Sequence, residues 1–366
     1  MVSLAAGNPA PEAFPTETIG DISARIFRER PIDALQYSIT EGYPALRSRL
    51  KAYMGESFCA DRDELIITSG AQQVMELVVK VLCNPGDVII CEAPSFIGSL
   101  NSFRSLGATL VGVPMQADGM DTEALEAALA ANPRARFIYT IPNFQNPTGI
   151  TMSMEKRRAV YALAKKYDVL VLEDNPYGDL RYSGETLPNI KTLDEDGRVI
   201  YAGTFSKVLS PGIRVGYAIG PAPVIAKMTV AKQGEDVHTA IWSQMLCDEF
   251  MATVDYPAHL AGLQDLYREK AALMVKLLDE HLVPLGITYH PIEGGLFLWC
   301  DLPEGVDMLA FCSKAVQEYQ VAVVPGSAFS INDEPSRSFR VNFSTPTDEA
   351  MIRGVQRLGE CAREFL

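Results

Sequence analysis

Long apolar runs, signal-peptide features and excess positive charge are all missing from this sequence of 366 residues. No stretch reaches the roughly 18 consecutive apolar residues that a membrane-spanning helix needs, and residues 1–6 lack the basic and apolar regions of a secretory signal peptide. The 32 lysines and arginines are outnumbered by 46 aspartates and glutamates, which gives a net charge of −14. We therefore expect neither a membrane protein nor a broad nucleic-acid-binding surface, and we interpret the acidity as favouring solubility.

Cysteine and histidine are too few and too scattered for a disulfide framework or a metal site. The seven cysteines form no C-x-x-C pair, so we expect reduced, packed thiols and a cytoplasmic protein. The four histidines lack metal-ligand spacing, and we predict no bound metal. Neither Gly-x-Gly-x-x-Gly nor a P-loop occurs, which argues against dinucleotide and nucleoside triphosphate binding.

Short apolar runs alternate with amphipathic helical patterns through the middle of the chain. Hydrophobic residues make up 48% of the sequence, enough for a substantial core. This alternation predicts an α/β fold with a mostly parallel sheet, covered by helices on both faces, whose ligands bind at the carboxyl ends of strands. The seven predicted strands are Glu64–Thr68, Asp87–Cys91, Thr109–Val113, Arg136–Thr140, Val169–Leu172, Val199–Ala202 and Val215–Gly220.

The pattern changes after about Asp255. A long helix is predicted from Tyr256 to about His281, followed by short strands near Ile287 and at Leu296–Asp301. This order indicates a smaller α+β domain. Its remaining predicted elements are a helix at Met308–Gln317, strands at Val321–Val324 and Phe339–Phe343, and a last helix at Thr347–Phe365.

The most informative motif lies where one central strand ends. The apolar run that begins at Val199 leads to Thr204, Ser206 and Lys207, and Arg214 follows shortly after. Two hydroxyls and an arginine can bind a phosphate dianion, and the amine between them can form a Schiff base with an aldehyde. Together these groups predict a site for pyridoxal 5′-phosphate (PLP), although Ser-Lys near a glycine, taken alone, is more often a surface turn.

This segment resembles the lysine region of fold-type I PLP-dependent aminotransferases of class I/II. It is most similar to the branch of 2-aminoadipate and kynurenine aminotransferases and the catalytic domains of MocR-type regulators, and the resemblance extends from Gly7 to Arg340. It implies ping-pong transfer of an amino group between an L-amino acid and a 2-oxo acid, with Lys207 as the catalytic residue. It also implies a homodimer with shared active sites, a large domain at 36–255 and a discontinuous small domain formed by 1–35 and 256–366.

The cofactor phosphate is expected where Ser69-Gly70-Ala71-Gln72 opens a helix. Ser69 followed by Gln72 is a capping-box pattern, and the N–H groups of Gly70, Ala71 and Gln72 would face an anion at the positive helix end. An ordinary helix cap is the alternative interpretation. Other groups expected at this anchor are Thr204, Ser206, Arg214 and, by resemblance from the neighbouring subunit, Tyr37.

Two acids end the apolar strand that precedes Tyr177. We choose Asp174 over Glu173 as the partner of the pyridine nitrogen, because Tyr177 then lies three positions later, as in the family. The carboxylate would keep that nitrogen protonated, and such charge-assisted hydrogen bonds contribute roughly 1.5–3 kcal/mol each. By the same resemblance, Tyr177 would donate to the phenolate oxygen of the ring. Taken alone, Asp-Asn-Pro-Tyr would be interpreted as a polar turn.

Four further residues complete the predicted site. By resemblance, Asn146 in an Asn-Pro-Thr-Gly turn would bond the phenolate oxygen, and Phe96 would stack on the ring, although core packing explains Phe96 equally well. Arg340 interrupts an apolar strand and so requires an anionic partner, for which we favour a bidentate substrate carboxylate over a structural ion pair. Gly7 and Asn146 are expected to line the substrate site.

The substrate and two other functions stay open. Relatives in this branch use an arginine near Arg25 and Arg28 to meet acidic side chains, but a solvated helix face is the preferred interpretation of both. A PLP-dependent lyase or decarboxylase would have nearly the same residues around the cofactor. A ligand-sensing regulator is disfavoured, because this sequence is acidic and is expected to start almost directly at the segment of Gly7, without a winged-helix domain.

Overall fold

The computed structural model of the chain describes residues 1–332 and 334–366. The strands, in chain order, are β1 (Val2–Ser3), β2 (Asp63–Thr68), β3 (Val88–Ala93), β4 (Thr109–Gln116), β5 (Gly119–Met120), β6 (Ala135–Thr140), β7 (Leu170–Asp174), β8 (Val199–Thr204), β9 (Gly216–Pro221), β10 (Thr288–Tyr289), β11 (Phe297–Asp301), β12 (Val321–Ala322), β13 (Val324–Pro325) and β14 (Ser338–Asn342). The α-helices are α1 (Thr16–Glu29), α2 (Pro31–Leu35), α3 (Pro44–Met54), α4 (Ala71–Leu82), α5 (Ile97–Ser105), α6 (Thr122–Ala131), α7 (Met154–Lys166), α8 (Ala222–Gln233), α9 (Ile241–Thr253), α10 (Tyr256–His281), α11 (Met308–Gln317) and α12 (Asp348–Phe365).

The central sheet confirms the α/β prediction. Its strand order is β2-β9-β8-β7-β6-β3-β4-β5. The strands from β8 to β4 run parallel, whereas β9 is antiparallel to both of its neighbours. All seven predicted strands are present, with ends shifted by up to three residues, and β5 adds a short strand at the edge that was not predicted.

Alternating side chains of the central strands enter two separate cores. In β3, Ile89 and Cys91 pack with helices α4, α5 and α8, whereas Val88 and Ile90 pack on the other face with α6 and α7. Successive residues of a strand point to opposite faces, so a strand buried on both sides is apolar throughout. Burial of each large aliphatic side chain contributes about 1.5–3 kcal/mol to the free energy of folding. The two cores hold the strands in place from both faces, and they thereby fix the positions of the residues at the carboxyl ends of the strands.

The C-terminal part of the chain forms a second, antiparallel sheet of order β10-β11-β14-β13. The N-terminal strand β1 pairs in parallel with β12, and it crosses α12 closely. A Cβ at Gly354 of α12 would lie 2.9 Å from the Val2 side chain, so any larger residue there would force β1 or Val2 to move. The N-terminal arm therefore packs with the C-terminal part, while the domain boundaries at residues 36 and 256 stay a prediction.

One strand prediction was wrong. Val321–Val324 is not one continuous strand, because β12 pairs with β1 whereas β13 begins at Val324 and pairs with β14 in a different sheet. The chain changes sheets at Val323. A run of β-branched residues predicts extended backbone, but it carries no information about where the pairing partner changes.

In the two described ranges, none of the helices combines the length and the apolar character required to cross a bilayer.

Candidate active site

A cavity of about 390 Å³ lies where the carboxyl ends of the central strands approach the smaller sheet. It brings together residues from the N-terminal arm, the central sheet and β14, which are far apart in sequence. Most of the predicted site residues line it: Gly7, Ala71, Gln72, Phe96, Asn146, Asp174, Tyr177, Thr204, Ser206, Lys207, Arg214 and Arg340.

The start of α4 forms one end of this cavity. Gly70 has a φ of +83°, which residues with side chains rarely adopt, and a Cβ there would lie 2.3 Å from Arg214 Nη2. At Gly216 in β9, a Cβ would lie 2.6 Å from the amide nitrogen of Ala71. The lack of a side chain at Gly70 thus lets the Arg214 guanidinium approach the start of α4, and its lack at Gly216 lets β9 approach the same helix start. The amides of Ala71 and Gln72 open the helix without intrahelical acceptors and can donate to an anion.

The capping-box prediction for this helix was wrong. Gly70, rather than Ser69, is the N-cap residue. The Ser69 hydroxyl donates to Asp236 Oδ2 over 2.7 Å, and Gln73 instead of Gln72 accepts from the Ser69 amide at 2.8 Å. The Gly70 amide itself donates to the carbonyl two residues earlier, so it is not available to an anion as predicted. The left-handed turn at Gly70 moves the helix start one position beyond the pattern.

Hydroxyl groups and a guanidinium surround the same end. Thr204 ends β8, and its hydroxyl accepts from the Ser206 amide at 3.1 Å and lies 2.9 Å from Ser206 Oγ. Arg214 has a φ of +53°, an uncommon conformation for a residue with a side chain. Its Nη2 donates to the Ser69 carbonyl over 3.2 Å. Two hydroxyls, one cation and a helix start are a suitable environment for a dianion.

Lys207 lies between this end and the interior of the cavity. Its Nζ donates to the Gly7 carbonyl over 2.7 Å and is 6.0 Å from the centroid of the Tyr177 ring. Burial, together with the positive charges of Arg340 and Arg214, lowers the pKa of Lys207 to about 8. A larger share of neutral amine is therefore present near neutral pH, as attack on an aldehyde requires.

Asp174 ends β7 with a carboxylate that is only 4% exposed. Its Oδ2 accepts from the Tyr139 hydroxyl at 2.8 Å, whereas its Oδ1 is buried with no hydrogen-bond partner in the described part of the chain. Burial raises the pKa of Asp174 to about 7, with the Tyr139 bond acting in the opposite direction. Glu173 has a different environment, because it accepts from two backbone amides of the turn Ile190–Leu193. Asp174, rather than Glu173, can therefore receive a donor from the cavity.

Asn146, Tyr177 and Arg340 meet at the inner end. Arg340 Nη1 donates to Asn146 Oδ1 over 2.7 Å, and Nη2 donates to the Ala5 carbonyl over 2.8 Å. Both acceptors are neutral, so these contacts do not form the structural ion pair that was weighed for Arg340. Burial lowers the pKa of Arg340 to about 10 and raises the pKa of the Tyr177 hydroxyl. An anion in this position would compensate the buried positive charge.

Three aromatic residues of the site were not predicted. Tyr139 bonds Asp174, and the rings of Phe297 and Phe329 have centroids 4.0 Å and 5.0 Å from the Arg340 guanidinium carbon. Tyr139 and Phe297 lie in apolar segments where core packing is the default interpretation, and Phe329 lies in a Gly-Ser-rich segment that gives no signal of a site. The antiparallel register that pairs Trp299 with Arg340 puts Phe297 on the same face of the sheet, and this pairing is the signal that could have identified it.

Tyr37 and the two arginines of α1 lie apart from the cavity residues. Tyr37 is 81% exposed, and its ring packs edge-on against His238 with centroids 5.8 Å apart. Arg25 forms an ion pair with Glu249 at 2.8 Å, and Arg28 is exposed. A single chain thus does not bring Tyr37 to the cavity. Arg28 lies on a solvated helix face, whereas Arg25 is half-buried in its ion pair with α9.

Comparison with known proteins agrees with this geometry. Residues 2–358 match the family model of aminotransferase class I and II. The whole chain is 38% identical to aromatic-amino-acid aminotransferase 1 of Thermococcus litoralis, of which the match covers 88%. The kynurenine aminotransferase structure of Pyrococcus horikoshii has a TM-score of 0.96 and 36% identity, covering 100% of this chain and 91% of its own. The α-aminoadipate aminotransferase of Thermus thermophilus, solved with N-(5′-phosphopyridoxyl)-L-leucine, has a TM-score of 0.93 and 37% identity, covering 100% and 92%.

Proposed function

The chain belongs to the class I and II aminotransferases, and we propose that it moves the amino group of a large apolar L-amino acid to a 2-oxo acid, with Lys207 as its catalytic residue. It is a PLP-dependent enzyme, and its named relatives favour amino-group transfer over the lyase, decarboxylase and regulator alternatives. The observation that carries the proposed role is the position of the Lys207 amine, which has a lowered pKa and lies between an anion-binding end and a buried arginine.

The residues at both ends of the cavity fit this cofactor. When bound, PLP supplies an aldehyde that takes up the amino group and a ring that spreads the negative charge of the substrate α-carbon. The unpaired Oδ1 of Asp174 would accept a hydrogen bond from the protonated ring nitrogen, and this bond would compensate the cost of burying the carboxylate. The other proposed contacts are Ala71, Gln72, Thr204, Ser206 and Arg214 to the phosphate, Asn146 and Tyr177 to the phenolate oxygen, and Phe96 to the ring face.

Lys207 would carry the proton during transfer. With the cofactor and substrate bound, its Nζ would take the proton from the substrate α-carbon and later donate it back. The lowered pKa favours this role, because the amine can accept a proton near neutral pH and return it. General acid–base transfer of this kind contributes about 10²–10⁴-fold to the rate.

Arg340 would bind the substrate α-carboxylate. Its Nη1 and Nη2 donate to Asn146 Oδ1 and the Ala5 carbonyl, and its Nε is buried without a partner among the described residues. A carboxylate offers two anionic acceptors to the planar fork of the guanidinium. The substrate would thereby be oriented with its α-carbon toward Lys207.

The remaining cavity wall supports an apolar substrate side chain. Beyond the cofactor-binding groups, the lining is dominated by aliphatic and aromatic side chains, which include Ile97, Phe297, Val324, Ala328 and Phe329. Arg25 is paired with Glu249 and is not among the residues that line the cavity, so it places no positive charge on this wall. We therefore favour aromatic and large aliphatic amino acids over glutamate and aspartate.

A panel of amino donors tests the proposal. The first half-reaction is followed through the absorbance of the bound cofactor, and turnover is followed with 2-oxoglutarate and pyruvate as acceptors. Phenylalanine and leucine are expected to exceed aspartate in kcat/KM by about tenfold or more, as burial of a large apolar side chain would provide. Equal or faster reaction with aspartate would contradict the substrate class, and no reaction with any donor would contradict the function.

We also propose a homodimer that resides in the cytoplasm. Tyr37 belongs to an exposed apolar stretch in which Ile32 is 71% and Leu35 is 73% exposed, and a second copy of the chain would cover it. In such a dimer, Tyr37 would reach the phosphate end of the neighbouring subunit. All seven cysteines are thiols, which is typical of a reducing compartment.

A further inference from the structure

Two aromatic rings flank the guanidinium of Arg340. The centroid of Phe297 is 4.0 Å and that of Phe329 is 5.0 Å from the guanidinium carbon. Cation–π attraction is strongest where water is excluded, and Arg340 is only 7% exposed. The orientation of this guanidinium therefore depends on both rings as well as on its two hydrogen bonds.

The two rings are attached to the fold differently. Phe297 lies in β11, which pairs along its length with β14, the strand of Arg340. Phe329 ends a short 3₁₀ turn, Gly326–Phe329, that follows β13, and its ring packs edge-on against Trp299 with centroids 5.8 Å apart. The smaller sheet thus fixes Phe297 directly, whereas the position of Phe329 depends on what fixes its own segment.

Groups of the central sheet and its helices fix that segment. The Ser95 amide, after β3, donates to the Phe329 carbonyl over 3.1 Å. Arg104 in α5 donates from Nη2 to the carbonyls of Ser330 and Ile331, at 3.3 Å and 2.6 Å. The Ile331 side chain packs into the core beneath α4 and α5. Arg104 itself is exposed and is not part of the cavity wall.

We propose that Arg104 is a positioning residue for substrate binding. By bonding Ser330 and Ile331, it keeps Phe329 over Arg340, and it thereby maintains the guanidinium in the orientation that receives the α-carboxylate. Removal of its side chain would release the segment beyond Phe329 and weaken carboxylate binding. The cofactor would be unaffected, because its proposed contacts lie elsewhere in the cavity. The inference rests on the carboxylate role proposed for Arg340.

Carboxylate affinity of the holoenzyme tests this proposal. The variants are Arg104→Gln, Arg104→Lys and, as a matched control, Arg363→Gln in an exposed position of α12. The probe is 3-phenylpropanoate, which lacks the reacting amine, and its dissociation constant is measured by calorimetry. We expect about tenfold weaker binding for Arg104→Gln, in line with the loss of one desolvated cation–π contact. Arg104→Lys should recover part of the loss, and Arg363→Gln should bind as the wild type does.

A second readout separates positioning from general damage to the fold. The first half-reaction is compared for phenylalanine and for phenethylamine, which has the same side chain and no carboxylate. Arg104→Gln should slow only phenylalanine, and the cofactor absorbance should stay unchanged. Phe329→Leu, which removes the ring directly, should show the same selectivity even if Arg104→Gln does not fold.

Three results would overturn the inference: unchanged affinity for 3-phenylpropanoate, equal losses for phenylalanine and phenethylamine, or a Phe329→Leu variant without selectivity. Wild-type protein that binds 3-phenylpropanoate but transfers no amino group would instead contradict the proposed function. The two failures are therefore distinguishable.

Discussion

The two ends of the cavity differ in how far they are removed from water. At the inner end, Asp174, Tyr177 and Asn146 are each 4% exposed, and Arg340 is 7% exposed. At the opposite end, which is the proposed phosphate end, Thr204 and Ser206 are half-buried and Arg214 is exposed. The inner end is built from charged and polar side chains in a dry environment, whereas the phosphate end relies on backbone amides, hydroxyls and a cation at the surface.

This difference determines what each end can contribute. Charges that are removed from water interact strongly and have shifted pKa values, as those of Asp174, Lys207 and Arg340 do. A half-exposed anion site is weakened by solvent, and many small contacts share its binding energy. We therefore expect large effects from single substitutions at the inner end and small ones at the phosphate end.

Lys207, between the two ends, should give the largest effect. Lys207→Ala removes both the amine that we propose receives the cofactor and the group that we propose moves the proton, so turnover should fall by about 10⁴-fold or more. Steady-state kinetics with the best donor of the panel measures this loss, with added methylamine as a test of chemical rescue. Turnover at the wild-type level would remove Lys207 from the mechanism.

Arg340→Ala should have the second-largest effect on activity. Loss of two charge-assisted hydrogen bonds should lower kcat/KM for an amino acid by about a hundredfold or more, mainly through weaker binding. The matching amine without a carboxylate should lose far less, and the ratio of the two losses is the informative quantity. Unaltered amino acid kinetics would show that the substrate carboxylate binds elsewhere.

Adjacent buried acids allow a matched test of the ring partner. Asp174→Asn should weaken cofactor affinity by about tenfold to a hundredfold, because the buried Oδ1 would lose its charge. Glu173→Gln should lower thermal stability, since Glu173 accepts from two backbone amides, but it should leave cofactor affinity nearly unchanged. Equilibrium dialysis of PLP gives both affinities, and a reversed order would make Glu173 the partner.

Tyr37→Phe should have the smallest effect, about two- to tenfold in cofactor affinity, as expected for one exposed hydrogen bond across a dimer. Tyr319→Phe, in the C-terminal part of the chain next to Lys314, is the control and should bind PLP normally. Light scattering on both variants reports whether the dimer persists. A loss as large as that of Asp174→Asn would show that the phosphate end is no less sensitive than the inner end.

Local motifs predicted the central fold because its strands are buried on both faces and therefore form continuous apolar runs. The same runs end in Asp174 and Lys207, so polar residues at strand ends could be selected without knowledge of the structure. Tyr139 and Phe329 could not be selected in this way, because they reach the site through pairing and packing between distant segments. The helix start at Gly70 and the change of sheets at Val323 likewise depend on backbone conformation and partners that a short pattern does not contain.

The role of Lys207 is tested most directly by borohydride reduction of PLP-loaded protein, followed by mass mapping of its peptides, over a range of pH. We expect the cofactor mass to be attached to Lys207. When PLP is added to the cofactor-free protein, the initial rate at which Lys207 captures it should rise with pH and level off above about 8, because the neutral form of the amine predominates above its lowered pKa. Attachment to another lysine, or no attachment at any pH, would show that Lys207 does not receive the cofactor.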